Sequence, residues 1–529
     1  MRLNSAGAFL SASLLGVVST AATAATTPPQ RSLDQAIKDE GILEKAIEYG
    51  IKKVEQGGCK VACDLLGLIL GNDVSKPNSA AFSANEGSYW AQQQSSIAPA
   101  CFVTVQRPVD VSISVLLARL TTCPFAVRSG GHSDIPGASN IKDGITINLS
   151  KLNQVSVSAD KKTTQVGPGA TWGDVYHTLD PQGLTVIGGR ESSVGVGGLT
   201  LGGGMSYFSG RYGFACDNVA NYQVVLPDGL IQDVNQKSNP DLYFALRGGG
   251  NNFGIVTRFD LETYPQGQMW GGIRVYSFDT QEAITSGFEA FNKAANPDMA
   301  LITSFAYAEG SYTASIIWDY SKPEADPPIT KTFNLAGSEP VFDTTRITTL
   351  SNLTDELDAS TPPGFRNRYT TATYKNSAKL QDKIISIFVA EFEKVKDSIT
   401  NTTGLAPVVA FQPISTAISS HFSRNGGNAL GVSPDDGPLM LVQYNWAWAS
   451  TADDTRVTNA IESILAQAET AAQSMGLAND YVYLNYAAPN QKPFDGYGAA
   501  NKNRLINIQK LLDPKGVFSI LQPGYFKLI

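Results

Sequence analysis

The chain has 529 residues and a formal net charge of −8, with 42% hydrophobic and 17% charged residues. That balance describes a globular core long enough for two domains, and its acidity argues against nucleic-acid or anionic-membrane partners. The 49 glycines are the compositional oddity, and they gather between Gly183 and Gly254.

Residues 1–24 read as a secretory signal: Arg2 precedes an apolar stretch around Ala8 to Val18, and Ala22-Thr23-Ala24 forms a small-residue cleavage site. No later run is long and apolar enough for a membrane span. An exported chain can form disulfides. Of the five cysteines, Cys63 and Cys101 make the favoured staple between N-terminal helix and core, although connectivity does not follow from sequence alone. Cys123 and Cys216 read as small buried hydrophobes. No cysteine or histidine spacing suits a metal. Three sequons begin at Asn148, Asn352 and Asn401; Asn148 lies in a strand-like run that encloses it, and the other two, in polar connecting segments, are the better candidates.

In chain order, residues 25–97 form an N-terminal helical segment, with helical-period apolar positions from Leu33 to Leu70. A compact unit over 98–267 alternates β-rich runs (Gly144 to Leu149, Tyr222 to Leu226, Gly254 to Leu261) with helices at Pro108 to Leu120 and Thr171 to Leu179. Residues 268–480 change texture. Leu301 to Ala308 and Tyr312 to Trp318 form a hairpin across Glu309-Gly310, and Lys379 to Val395 is an amphipathic helix. Strand Leu439 to Trp448 puts Gln443 and Asn445 on one face, and Tyr444, Trp446 and Trp448 on the other. Residues 481–529 hold a strand, Tyr481 to Tyr486, and a helix ended by Asp513-Pro514-Lys515-Gly516. The class is α+β, with an antiparallel sheet covered by helices in the second domain.

Chemistry concentrates in two stretches. An apolar run ends at Arg128-Ser129-Gly130-Gly131-His132-Ser133, a strand entering a glycine turn that can approach an anion closely. The second runs from Gly188 to Gly213 and is too glycine-rich for a good helix or strand. The dinucleotide fingerprint fails because Thr200 stands where its third glycine is required, and no P-loop is present.

Together these stretches resemble the FAD-linked oxidases of the vanillyl-alcohol-oxidase type, in particular the fungal berberine-bridge-enzyme-like group. Further elements are Gln165-Val-Gly-Pro-Gly169, Ser193-Val194-Gly195-Val-Gly-Gly198 with Gly202-Gly203-Gly204, Leu246-Arg-Gly-Gly-Gly-Asn-Asn-Phe-Gly254, and Tyr483-Leu-Asn485-Tyr486. The resemblance implies a two-subdomain FAD-binding unit of the PCMH type over 98–267, a substrate domain over 268–480, and a tail returning to the first. It implies FAD held by Arg128, Ser129, Gly130, Gly131, Ser133, Val194, Gly195, Gly198, Gly202, Gly203, Gly254, Ile255 and Asn485, and bound covalently through His132. Members that attach the flavin twice carry a cysteine where this chain has Glu191, so a single link is expected. Tyr483 is the candidate base and Asn485 its neighbour on one strand face, with Tyr444 a further catalytic candidate. Asn428, in a glycine-flanked loop, is a weaker contact. The implied function is a secreted oxidase that passes hydride from a hydroxylated or phenolic small molecule to flavin and electrons to dioxygen, releasing peroxide. A secreted oligosaccharide oxidase and a non-catalytic flavin carrier are the alternatives.

Overall fold

The computed structural model describes residues 33–42 and 57–529, so the expected signal over 1–24 lies outside the described residues. Three sheets organise the α+β architecture. In the first, strands Cys101–Thr104, Ile145–Asn148 and Phe125–Arg128 run parallel, with Val74–Ser75 antiparallel on the edge. Ile145–Asn148 lies between two parallel neighbours and is wholly buried, which suits its β-branched run. The crossover helix Pro108–Thr121 starts with proline at its first position, and the Asp110 carboxylate accepts the Arg107 backbone N–H at 2.9 Å. The carboxyl ends of the parallel strands therefore share one edge, where ligands of such sheets bind.

The second sheet runs Val155–Val157, Thr163–Val166, Ile255–Pro265, Val219–Val225, Ile231–Val234, all antiparallel, and Leu184–Val186 joins the far end of Ile255–Pro265. The third has nine antiparallel strands, with Met269–Ser277, Ser311–Tyr320, Met299–Ala308, Ala406–Ile414, Leu439–Trp448 and Arg366–Lys375 as its long neighbours in that order. Its hairpin turns at Glu309 and Gly310, both with positive φ (51° and 86°), the geometry that matches strand twist. Helices Gln281–Ala294, Ala378–Val395 and Asp454–Ser474 cover one face, packing Phe288, Phe388 and Ile464 against Phe411, Tyr444 and Trp446. The other face is turned toward the first two sheets.

The structure revises some of these expectations and sharpens others. Cys63–Cys101 is present, but Cys123 is no isolated hydrophobe: it bonds Cys59 across 64 residues. Cys59 and Cys63 lie four apart on helix Gly58–Leu70, so one helical face carries both bonds. Replacing Cys59 and Cys123 by serine should cost about 2–3 kcal/mol through the longer unfolded loop, read as a lower Tm with Cys63–Cys101 intact. Asn148 is 3% exposed, and its amide donates to Asn85 Oδ1 at 2.8 Å, which removes it as a glycan acceptor. Asn352 and Asn401 are exposed, the former on helix Leu350–Asp358 rather than in a linker.

The segment Tyr481 to Tyr486 is not a strand. It is extended chain closed by a single 3₁₀ turn, Leu484–Tyr486, because its neighbours are glycine loops rather than a sheet edge. The stretch Gly188 to Gly213 does hold short helices, Val196–Leu201 and Ser209–Tyr212.

Candidate active site

Strand Phe125–Arg128 delivers the Ser129–Ser133 turn to the mouth of a cavity of about 680 Å³. This size suits a cofactor together with a small substrate. Gly130 meets Gly195 backbone to backbone: a Cβ on Gly130 would stand 2.6 Å from Gly195 N and 2.7 Å from its Cα. Ser129 locks the pair by donating to the Pro168 carbonyl at 2.5 Å and accepting the Gly197 N–H at 3.1 Å. Gly131 has φ of +77°, a conformation that side chains disfavour. Nothing lies within 4 Å of a Cβ built on Gly198, so its backbone faces open cavity.

His132 enters that cavity stacked on Trp90, with ring centroids 4.3 Å apart. Its Nε2 is buried and makes no hydrogen bond; Glu191 Oε2 stands 3.6 Å away, beyond bonding distance. Burial holds the imidazole pKa down to about 4, although Asp358 pulls the other way, so the ring is neutral near pH 7. Burial and the Asp358 charge push Glu191 up to about 7, against Arg190 and the Thr361 hydroxyl. Asp358 accepts from Ser193 N at 3.1 Å. His132, Glu191 and Asp358 bring possible ligand atoms within 4.8 Å of one another, a grouping their sequence spacing does not announce.

Of the residues expected to hold cofactor, Ser129, Gly130, Gly131, His132, Ser133, Val194, Gly195, Gly198, Gly254, Ile255 and Asn485 line the cavity. Arg128 does not. Its guanidinium points away, bonded to Asn85 O at 3.0 Å and Ser88 Oγ at 2.8 Å and packed over Tyr89. Gly202 and Gly203 lie behind the wall: a Cβ on Gly202 would strike Asn485 Oδ1, and Gly203 backs onto Tyr483 and Leu430.

Tyr483 and Asn485 meet through the turn instead of a shared strand face. Tyr483 Oη accepts N–H groups from Gly204 (3.2 Å), Met205 (3.1 Å) and Asn485 Nδ2 (3.1 Å), and Asn485 Nδ2 also donates to Leu199 O at 2.9 Å. Burial and Tyr486 push the phenol above its ordinary range, while Met205, Asn485 and Arg190 pull it down. Arg190 is the cation among these influences. Tyr444 faces the helices, fully buried on the side opposite the cavity, so strand alternation removes it from the site. Its neighbours Gln443 and Asn445 line the cavity. Asn428 gives its amide to Asp217 Oδ1 at 2.8 Å and supports a loop. His177 pairs with Asp355, and His421 lies by the Gly210 carbonyl.

Sequence reasoning also missed Trp90, Tyr486 and Gln412. Arg190 carried a signal, as one of two cations inside the glycine-rich run from Gly188 to Gly213. The unpartnered His132 nitrogen, the open Gly198 backbone and the interlocked turns fit a flavin nucleotide.

The family described as FAD binding domain matches residues 99–235. The FAD-dependent monooxygenase tpcD of Cochliobolus heterostrophus is 42% identical over 492 residues, covering 90% of this chain and 95% of that one. The BBE-like 1 protein of Physcomitrella patens superposes with a TM-score of 0.74 at 20% identity, covering 88% of this chain and 99% of that one. A xylooligosaccharide oxidase of Myceliophthora thermophila superposes with a TM-score of 0.70 at 18% identity, covering 86% and 98%. These two structural likenesses speak for the fold alone. Fold and site define an FAD-linked oxidoreductase with the fold of berberine-bridge-like proteins. The chain belongs to the family of fungal FAD-dependent monooxygenases that includes this relative from Cochliobolus heterostrophus.

Proposed function

We propose that the chain is an exported oxidase that removes hydride from a hydroxylated or phenolic secondary metabolite, with dioxygen as final acceptor and FAD tethered by His132 alone. One observation carries this reading: a neutral, buried imidazole whose Nε2 has no partner and faces the cavity beside Glu191 rather than a cysteine. When bound, FAD supplies the hydride acceptor and the route to dioxygen. His132 Nε2 offers the lone pair for the tether, and Trp90 fixes its ring plane. Tyr483 in its phenolate form takes the substrate hydroxyl proton at Oη, where three N–H donors stabilise that form against the burial that raises the phenol.

The substrate side supports an apolar molecule. Ile273, Val275, Ile302, Ile317 and Val408 line it from the sheet face, interspersed with Ser304, Thr313, Ser315 and Asn445, and this aliphatic share favours an apolar substrate body over the hydroxyl-rich oligosaccharide of the alternative reading. Two disulfides and the exposed Asn352 and Asn401, the remaining candidates for glycans, accord with export.

Protein precipitated in acid should keep its yellow colour in the pellet; a colourless preparation sinks the proposal. With a panel of phenols and alcohols, peroxide should form one-for-one with product. Label from isotopic dioxygen in the product, without peroxide, would replace the oxidase by a monooxygenase, the activity in the relative's name. Tyr483→Phe should lower turnover by about 10²-fold with flavin content unchanged. A loss below tenfold would move the proton acceptor elsewhere.

A further inference from the structure

We propose that Arg190, Tyr486, Gln412 and Gln443 form a subsite for an acidic oxygen group of the substrate, a carboxylate or the oxyanion of an acidic phenol or enol. The inference rests on the function proposed above and narrows its substrate class.

The argument follows from which groups can only donate. A guanidinium has no acceptor, so Gln412 must turn its carbonyl oxygen to Arg190 Nη2, at 2.7 Å. Its amide nitrogen then gives its hydrogen to Gln443 Oε1 at 3.0 Å, which leaves the Gln443 nitrogen as an outward donor. The same Arg190 nitrogen donates to the Tyr486 hydroxyl oxygen at 2.8 Å, so the phenolic hydrogen points elsewhere. All four residues line the cavity. Every acceptor in this strip is used internally, and what it presents to a ligand is donors and one positive charge.

That charge has no counterion. Among the described residues, no carboxylate lies within ion-pair distance of Arg190. The acids in its vicinity are Glu191, turned to Thr361 and His132, and Asp319, whose Oδ2 is buried without a partner. The remaining neighbours that face it are the phenols Tyr207 and Tyr483. A desolvated cation without an anion is costly to hold, and an acidic ligand relieves that cost. Beside the strip, on the same sheet face, stand the aliphatic side chains of Ile302, Ile317 and Val408. The matching molecule has an apolar body and one acidic head; a neutral polyol brings no charge to offset Arg190.

The test titrates the holoenzyme by calorimetry with benzoate and with benzamide, which share shape and differ in charge. Benzoate should bind at least about tenfold more tightly, as expected for charge-assisted hydrogen bonds. Arg190→Met should erase that preference without changing the ratio of flavin to protein. Equal affinities in the native protein, or a preference that survives Arg190→Met, overturn the proposal. If Arg190→Met does not fold, Tyr486→Phe and Gln443→Leu each remove one donor. Both should weaken benzoate and spare benzamide, and an intact preference in both overturns it equally. Replacing benzoate with p-nitrophenolate separates recognition of a carboxylate from that of a phenolate. The two readings fail separately: a colourless protein that prefers benzoate keeps the subsite and loses the oxidase. A yellow, peroxide-forming protein without the preference does the reverse.

Discussion

Protein carrying His132→Ala should release its flavin into the supernatant on acid precipitation, while the native protein keeps it in the pellet. The expected difference is all or none, because Glu191 stands where a second tether would be and the only free cysteine among the described residues, Cys216, is buried in the core. The substitution should not unfold the chain, since Nε2 makes no hydrogen bond to lose; the loss of stacking on Trp90 is a modest local cost. Retention of acid-stable flavin in His132→Ala would overturn the single-tether reading at once. In protein prepared without flavin, where Nε2 is unsubstituted, the neutral ring also sets a pH expectation. Its folded pKa of about 4 lies below that of an exposed imidazole, so this depressed base costs stability as pH falls below about 6.5, where the unfolded chain takes up the proton first, and the cost is complete below about pH 4.

Arg247→Met should destabilise the fold by about 3–5 kcal/mol, because it strands a buried carboxylate. Arg247 and Asp217 are both fully buried and joined at 3.1 Å. The guanidinium also donates to the carbonyls of Cys216, Arg424, Asn425 and Gly427, at 2.7–3.0 Å. One side chain thus ties the loop at 424–428 to the glycine-rich core, and the adjoining Leu430 packs behind Gly203 and Gly248. Thermal melting should read the loss as a drop of roughly 3–5 °C. Replacing Asp217 as well, by Leu, should recover part of it, since an apolar pair removes the stranded charge. A drop below about 1 kcal/mol would mean that the loop relaxes to admit water.

The signals that proved readable in the sequence were local. Hydrophobic period placed the helix at Ala378–Val395, and the Glu309-Gly310 turn placed the hairpin, because each depends on neighbours in the chain. Strand alternation assigned Gln443 and Asn445 to one face, and the same rule excludes Tyr444 once the helices are known to cover the other. What was not legible depends on contacts across hundreds of residues. Arg190 finds Gln412 and Tyr486 only in the folded chain. Arg128 belongs to a motif by position, yet its side chain turns to Asn85 and Ser88. Cys59 could not be matched with Cys123 because pairing reflects where a helix packs, which cysteine spacing does not encode.

The contact between Gly130 and Gly195 also constrains inheritance. Every single-base change in a glycine codon that alters the residue adds at least a Cβ or stops the chain, and a Cβ on Gly130 already lies too close to Gly195 N, at 2.6 Å. Variation at these two codons within a population should therefore be confined to their third, synonymous base. The nucleotide-side joint has no neutral neighbours from which to drift, while the aliphatic wall across the cavity can exchange one methylene at a time.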